Sequence, residues 1–164
     1  MSAVNPSGKV PILKIKGAVI IDSVAICQFL TDRHSNFTYK AGTIERALQD
    51  SWTNFAIDEV DAPLRVNAKN DFIFPEELRS ETAQRACKYD FDRAMDVFST
   101  RLGDHMYVMG DEFTVSDLLL GHCAGWAVNG AGWEIPEGKV SDYFQRVRAR
   151  PACLKALEIR ERAT

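Results

Sequence analysis

Basic residues do not outnumber acidic ones in this 164-residue sequence. Twenty Lys and Arg stand against 23 Asp and Glu, a net charge of −3. That balance argues against nucleic acid or an anionic membrane as the main partner, since both select basic surfaces. No apolar run approaches the ~18 residues that suggest a membrane span. The opening MSAVNPSG lacks a basic stretch followed by an apolar one, so no secretory leader is expected. Histidine is scarce, and His34, His105 and His122 lie far apart. Cys27, Cys87, Cys123 and Cys153 form no C-x-x-C and stand at no metal-site spacing from the histidines. No metal centre is expected. The cysteines read as buried free thiols of a reducing cytoplasm. What remains is an ordinary globular composition, 46% hydrophobic and 26% charged, in a chain long enough for a real core.

Strand signals are confined to the start. NPSG, residues 5–8, is turn chemistry. VPILKI follows, then the turn dipeptide Lys16-Gly17, then AVIID at 18–22. The short connection predicts an antiparallel hairpin. Asp22-Ser23 offers a helix start before VAICQFL. Residues 33–40 are polar and read as a linker between a unit at 1–32 and a helical unit at 41–164. From Thr43 the spacing becomes helical through Ile44, Ala47, Leu48, Trp52, Phe55, Ala56 and Val60. Pro63 is expected to kink or end that helix, because it removes a donor and crowds the preceding turn. Residues 71–75 read as a loop. Further helices are predicted over about 76–102, from just after Phe113 to about 128, over 140–150 and over 152–162, with Pro151 suited to the first turn of the last.

GDEFTVSDLLL, residues 110–120, carries a capping-box pattern. Thr114 is the cap and Asp117 stands three residues on, so each side chain can serve the other's backbone N–H. Phe113 and Leu118 are placed to close a hydrophobic staple. The role is structural. At the opening, Ser23 and the first N–H groups of its helix form an anion site suited to a carboxylate. The alternative for Ser23 is a plain helix cap. If the Val10–Pro11 bond is cis, Val10 can offer its backbone to an extended peptide by strand addition. Arg146, Arg148, Arg150, Arg160 and Arg162 crowd the end of the chain and read as a solvated helix face.

NPSGKVP, the hairpin and the Asp22-Ser23 helix start together resemble the second half of the thioredoxin-like domain of glutathione transferases. FTVSD resembles that family's C-terminal-domain capping motif. RVRARPACLKAL resembles its penultimate helix and the start of the last. The resemblance covers nearly the whole chain in the right order. It implies an α+β, mainly α fold: a partial thioredoxin-like β-β-α unit, then an all-helical C-terminal bundle. It implies that Val10 pairs by backbone with the cysteinyl part of glutathione and that Pro11 is cis. Asp22 and Ser23 hold the γ-glutamyl end, with Ser23 taking its carboxylate. Asp22 stands where many relatives have Glu or Gln. Thr114 and Asp117 are the folding cap. Trp52 and Phe55 border a hydrophobic second-substrate pocket, or else serve core or dimer packing.

In that family a strand, a helix and another strand precede NPxGKVP, and they carry the Tyr, Ser or Cys that stabilises the glutathione thiolate. Four residues stand there in this sequence. Ser2 and Ser7 lie near the opening, but no motif promotes either. VPILKI is then expected at an open sheet edge, and the β-β-α unit is expected to be the least stable part. The resemblance implies a cytoplasmic protein that uses glutathione, without a metal, on a hydrophobic electrophile. A homodimer is implied if the N-terminal half is completed. Two alternatives stand beside the enzyme: a non-catalytic interaction module of the kind found in translation factors and synthetases, and a glutathione-binding stress or redox protein that does no chemistry.

Overall fold

A computed structural model describes residues 4–163 of the chain. It begins with the tight turn. The Asn5 amide is buried, donates from Nδ2 to the Lys9 carbonyl at 2.7 Å and accepts the Ser7 N–H at 3.0 Å. Strands β1 (Ile12–Ile15) and β2 (Ala18–Ile21) pair antiparallel with Ile12 opposite Ile21 and Ile15 opposite Ala18. Lys16 and Gly17 between them sit at φ 47° and 82°. Two successive positive φ angles make the turn whose twist matches a hairpin. Helix α1 (Ser23–His34) packs back on both strands and ends with Ser35 in the left-handed region. It runs past residue 32, so the expected unit boundary falls inside a helix.

The rest is helical. Helix α2 (Ile44–Phe55) is capped by Thr43, whose hydroxyl accepts the Arg46 N–H at 3.2 Å. It continues without a break into a π-helical turn (Ala56–Asp61), then α3 (Ala62–Ala68), then a second π-helical turn (Lys69–Ile73). Of the two outcomes expected at Pro63, a kink or an end, the end is therefore corrected. The Ala62 N–H reaches back five residues to the Ile57 carbonyl. That wider turn accommodates the one extra residue just where the proline ring would crowd a regular helix. The expected loop at 71–75 is corrected too, since its first three residues complete the second π turn.

Helix α4 (Glu81–Leu102) starts at Ser80, whose hydroxyl accepts the Ala83 N–H, five residues later than expected. A short 3₁₀ turn at Glu76–Leu78 fills the interval. Then come α5 (Val115–Asn129), α6 (Lys139–Arg148) and α7 (Pro151–Ala163).

The core lies among α2, α3, α4, α5 and α6. Phe91, Met95, Phe98, Leu120 and Tyr143 are fully buried. Phe98 is the hub, stacked on Phe144 at 5.4 Å and tilted against Tyr143 at 5.0 Å. Gly121 of α5 faces Val147 of α6 so closely that a Cβ there would meet the valine Cγ1 at 2.5 Å. The buried stripe of α2 is Gln49, Trp52, Thr53 and Phe55, while Ile44 and Leu48 are exposed. Polar Gln49 and Thr53 take inward places because partners await them. The Tyr39 N–H reaches Gln49 Oε1 at 3.0 Å, and the Thr53 and Ser116 hydroxyls meet at 2.9 Å. Among the described residues no helix is long and apolar enough to cross a membrane.

Candidate functional site

The Asn5 turn ends by delivering Lys9 and Val10 to the edge of the hairpin. Val10 is exposed and lies outside the ladder, which begins at Ile12. The Val10–Pro11 bond is cis. At the other end of the hairpin the chain leaves β2 through Asp22, held at φ 79°. With ψ at 125° it lies outside the left-handed helical well, a conformation rare for any residue with a side chain. The reward is local: Asp22 Oδ1 accepts the Val24 N–H at 2.9 Å and the Ala25 N–H at 3.2 Å.

Asp22, then, is the helix cap, and the alternative in which Ser23 caps α1 is corrected. Ser23 is the first helical residue, exposed, and its hydroxyl has no partner among the described residues. Two amides expected in the anion site are already taken by Asp22. What remains open is the Ser23 N–H and hydroxyl, with Asp22 Oδ2 beside them. Ser7 is not available as a reacting group: its hydroxyl donates to Asn5 Oδ1 at 2.9 Å, inside the turn. Ser2 lies outside the described residues.

Sequence reasoning missed two contributors. Asn5 was seen as turn chemistry, yet its amide fixes the carbonyl just before Val10. Asp61 was not singled out at all. It ends the first π turn, half-buried, with Arg65 at 3.6 Å. Burial pushes its carboxyl above the usual range, the Arg65 and His122 charges pull it down, and the Asp22 charge pushes it up again. The helical unit thus presents an acid within electrostatic reach of the start of α1. Pro63, two residues after Asp61, was the available signal in the sequence.

Trp52 and Phe55 lie in the bundle core. They are 6% and 7% exposed, meet edge to face at 5.6 Å and join the Phe98 cluster. The Arg101 guanidinium closes over the Trp52 ring at 3.7 Å. Their alternative role, packing, is the one observed.

The cap at α5 has a larger role than expected. Thr114 and Asp117 stand in the capping-box arrangement. Asp117 Oδ2 accepts the Thr114 N–H at 2.7 Å and the Thr114 hydroxyl at 3.1 Å. Its Oδ1 accepts the Val108 N–H at 2.9 Å and the Tyr143 hydroxyl at 2.8 Å. One fully buried carboxylate ties α5, the 107–112 turn and α6 together. Burial pushes its pKa up and the four donors pull it back. Burial and the Asp117 charge hold Tyr143 well above the usual phenol range. The staple is corrected: Leu118 is exposed, and Phe113 packs instead on Phe37 and Tyr107, under the Arg150 guanidinium at 3.5 Å. The arginines do not form one solvated face either, since Arg146 is bound to the Met106 carbonyl and Arg150 to Phe113.

The model of the glutathione S-transferase N-terminal domain matches residues 1–33. Glutathione S-transferase GstA of Escherichia coli O157:H7 is 26% identical over 162 residues, covering 94% of this chain and 75% of its own length. A solved theta class glutathione S-transferase of Xanthomonas axonopodis pv. citri, with glutathione bound, is 26% identical and superimposes with a TM-score of 0.76. The match covers 94% of this chain and 74% of that one. The chain is similar to glutathione S-transferases along nearly its whole length. The family's two-part fold is the one observed, a hairpin and helix followed by a helical bundle. The chain is also similar to a translation elongation factor. Elongation factor 1-gamma 1 of Oryza sativa subsp. japonica is 29% identical over 124 residues, 71% of this chain. The chain spans only 28% of that relative's length.

Proposed function

We propose that this chain binds glutathione in an extended conformation across the junction of the hairpin and α1. The Val10 backbone pairs with the cysteinyl part, as in strand addition. The Ser23 N–H and hydroxyl receive the γ-glutamyl carboxylate, and Asp22 Oδ2 faces the γ-glutamyl ammonium. That pairing offsets the repulsion between Asp22 and the carboxylate. The observation that carries the proposal is the unpartnered Ser23 hydroxyl at the start of a 12-residue helix, one residue after a strained Asp22. Backbone strain of this kind costs about 1–3 kcal/mol and concentrates at ligand sites. The glutathione bound to the Xanthomonas relative supports the choice of ligand.

For the whole protein we propose transfer of the intact glutathionyl group to a hydrophobic electrophile. The thiol loses its proton, the thiolate forms the new carbon–sulfur bond, and the electrophile's leaving group departs. None of the residues assigned above is the group that stabilises the thiolate. A homodimer and a cytoplasmic location belong to the same proposal. A second reading, a non-catalytic interaction module, draws support from the elongation factor match and from the burial of Trp52 and Phe55, which leaves them no substrate to touch.

Calorimetric titration with glutathione tests the site. Ser23→Ala should weaken binding about tenfold, the loss of one hydrogen bond to a charged group. Unchanged affinity would remove the site. Turnover of a chlorodinitroaromatic favours the enzyme. A stable hetero-complex without glutathione binding favours the module.

A further inference from the structure

A trough runs between α5 and α6 that shares no residue with the proposed glutathione site. Its volume is about 370 Å³, within the range of small-molecule sites. Ala124 and Val128 of α5, Phe144 of α6 and Ile135 of the 130–138 loop make its apolar walls. Phe144 is held rigid by stacking on Phe98. At liquid density the space takes about a dozen non-hydrogen atoms. The α6 lining runs from Ser141 to Arg148, about two turns or ~10 Å of helix, so the space is elongated along the helices.

Its polar end is Arg148. The other two arginines at this end of the bundle are engaged, Arg146 with the Met106 carbonyl and Arg150 with the Phe113 ring. Arg148 has neither an ion pair nor a hydrogen bond among the described residues. Its guanidinium lies against Gly125 of α5, where a Cβ would be 3.7 Å from Cζ. The charge thus lies along α5 at the trough, at ordinary contact distance from the Gly125 position. The Ser141 hydroxyl is spent on the Gly138 carbonyl. Apart from Ser141 and the exposed Gln145, the trough is apolar, and it carries one half-buried cation with no partner among the described residues.

We infer that this trough binds a small, straight-chain apolar carboxylate, with the carboxylate on the Arg148 guanidinium and the tail between Val128, Ile135 and Phe144. Arginine suits a carboxylate because its two parallel N–H groups match the two oxygens. The inference does not rest on the glutathione proposal.

Titration of the protein with octanoate, and separately with 1-octanol, tests it by NMR. Octanoate should shift the methyl signals of Ala124, Val128 and Ile135, and octanol should bind at least about tenfold more weakly. Arg148→Met keeps the side-chain stem and should remove that difference. Val128→Trp, at an exposed rim position, should weaken both ligands. Equal binding of acid and alcohol to the unaltered protein would overturn the inference. So would octanoate shifts confined to other residues, or unchanged octanoate affinity in Arg148→Met.

Discussion

In the bundle, Val60, Leu64, Phe91, Met95, Phe98, Leu120 and Tyr143 have no exposed surface at all. In the hairpin, none of the eight strand residues is buried. Val19 and Ile21 are 42% and 43% exposed. The two regions are also joined by a different chemistry from the one that holds the core. Val24 of α1 packs against the apolar interior, and Ile26 is buried. Most of the junction is polar: Gln28 and Gln49 both donate to the Thr38 hydroxyl, and Arg46 bridges Asp32 to Asp50. Apolar burial scales with area, whereas a hydrogen bond adds only about 1 kcal/mol net. The unit that carries the proposed ligand site is therefore the one that opens most easily. The rigid unit supplies the platform.

The largest blow to the platform should come from Asp117→Ala. It strands the Val108 and Thr114 N–H groups and the Tyr143 hydroxyl in the core, and should cost about 4 kcal/mol, read from the denaturation midpoint. A loss below about 1 kcal/mol would mean that the carboxylate does not tie the three segments together. Ile26→Ala acts on the other side of the comparison. It should cost about 2 kcal/mol and raise amide exchange in Leu13 and Ile20 while leaving Leu120 protected. Equal acceleration everywhere would show that hairpin and bundle unfold as one. Thr114→Ala removes one donor to Asp117 and should cost about 1 kcal/mol, with glutathione affinity unchanged once folded. Thiol labelling gives the mildest test. Burial pushes Cys123 up to about 12, so it should react last in the native protein, well after half-buried Cys153. Early labelling of Cys123 would mean that the bundle opens as readily as the hairpin.

Local chemistry was legible where a few adjacent residues decide the outcome. Lys16-Gly17 specified the hairpin turn, Thr114 and Asp117 the start of α5, and Pro151 the start of α7. The helix at Asp22-Ser23 was visible, but not which residue caps it, because that depends on the positive φ of Asp22. Sequence spacing put Ile44 and Leu48 inward with Trp52. Partners from α1, the 38–39 segment and α5 instead drew Gln49 and Thr53 inside, and spacing alone does not report partners.

What the sequence determined by itself is the order of elements, the turns between them and the caps that begin them, since these depend on neighbours within about four residues. Only the tertiary structure decided that Pro63 sits in an unbroken helical span, that Trp52 and Phe55 are core and that Asp117 gathers donors from three segments. It alone left Arg148 without a partner among the described residues, beside a largely apolar trough. Each of these outcomes depends on groups far apart along the chain, and their charges and volumes compete for the same space only after folding brings them together.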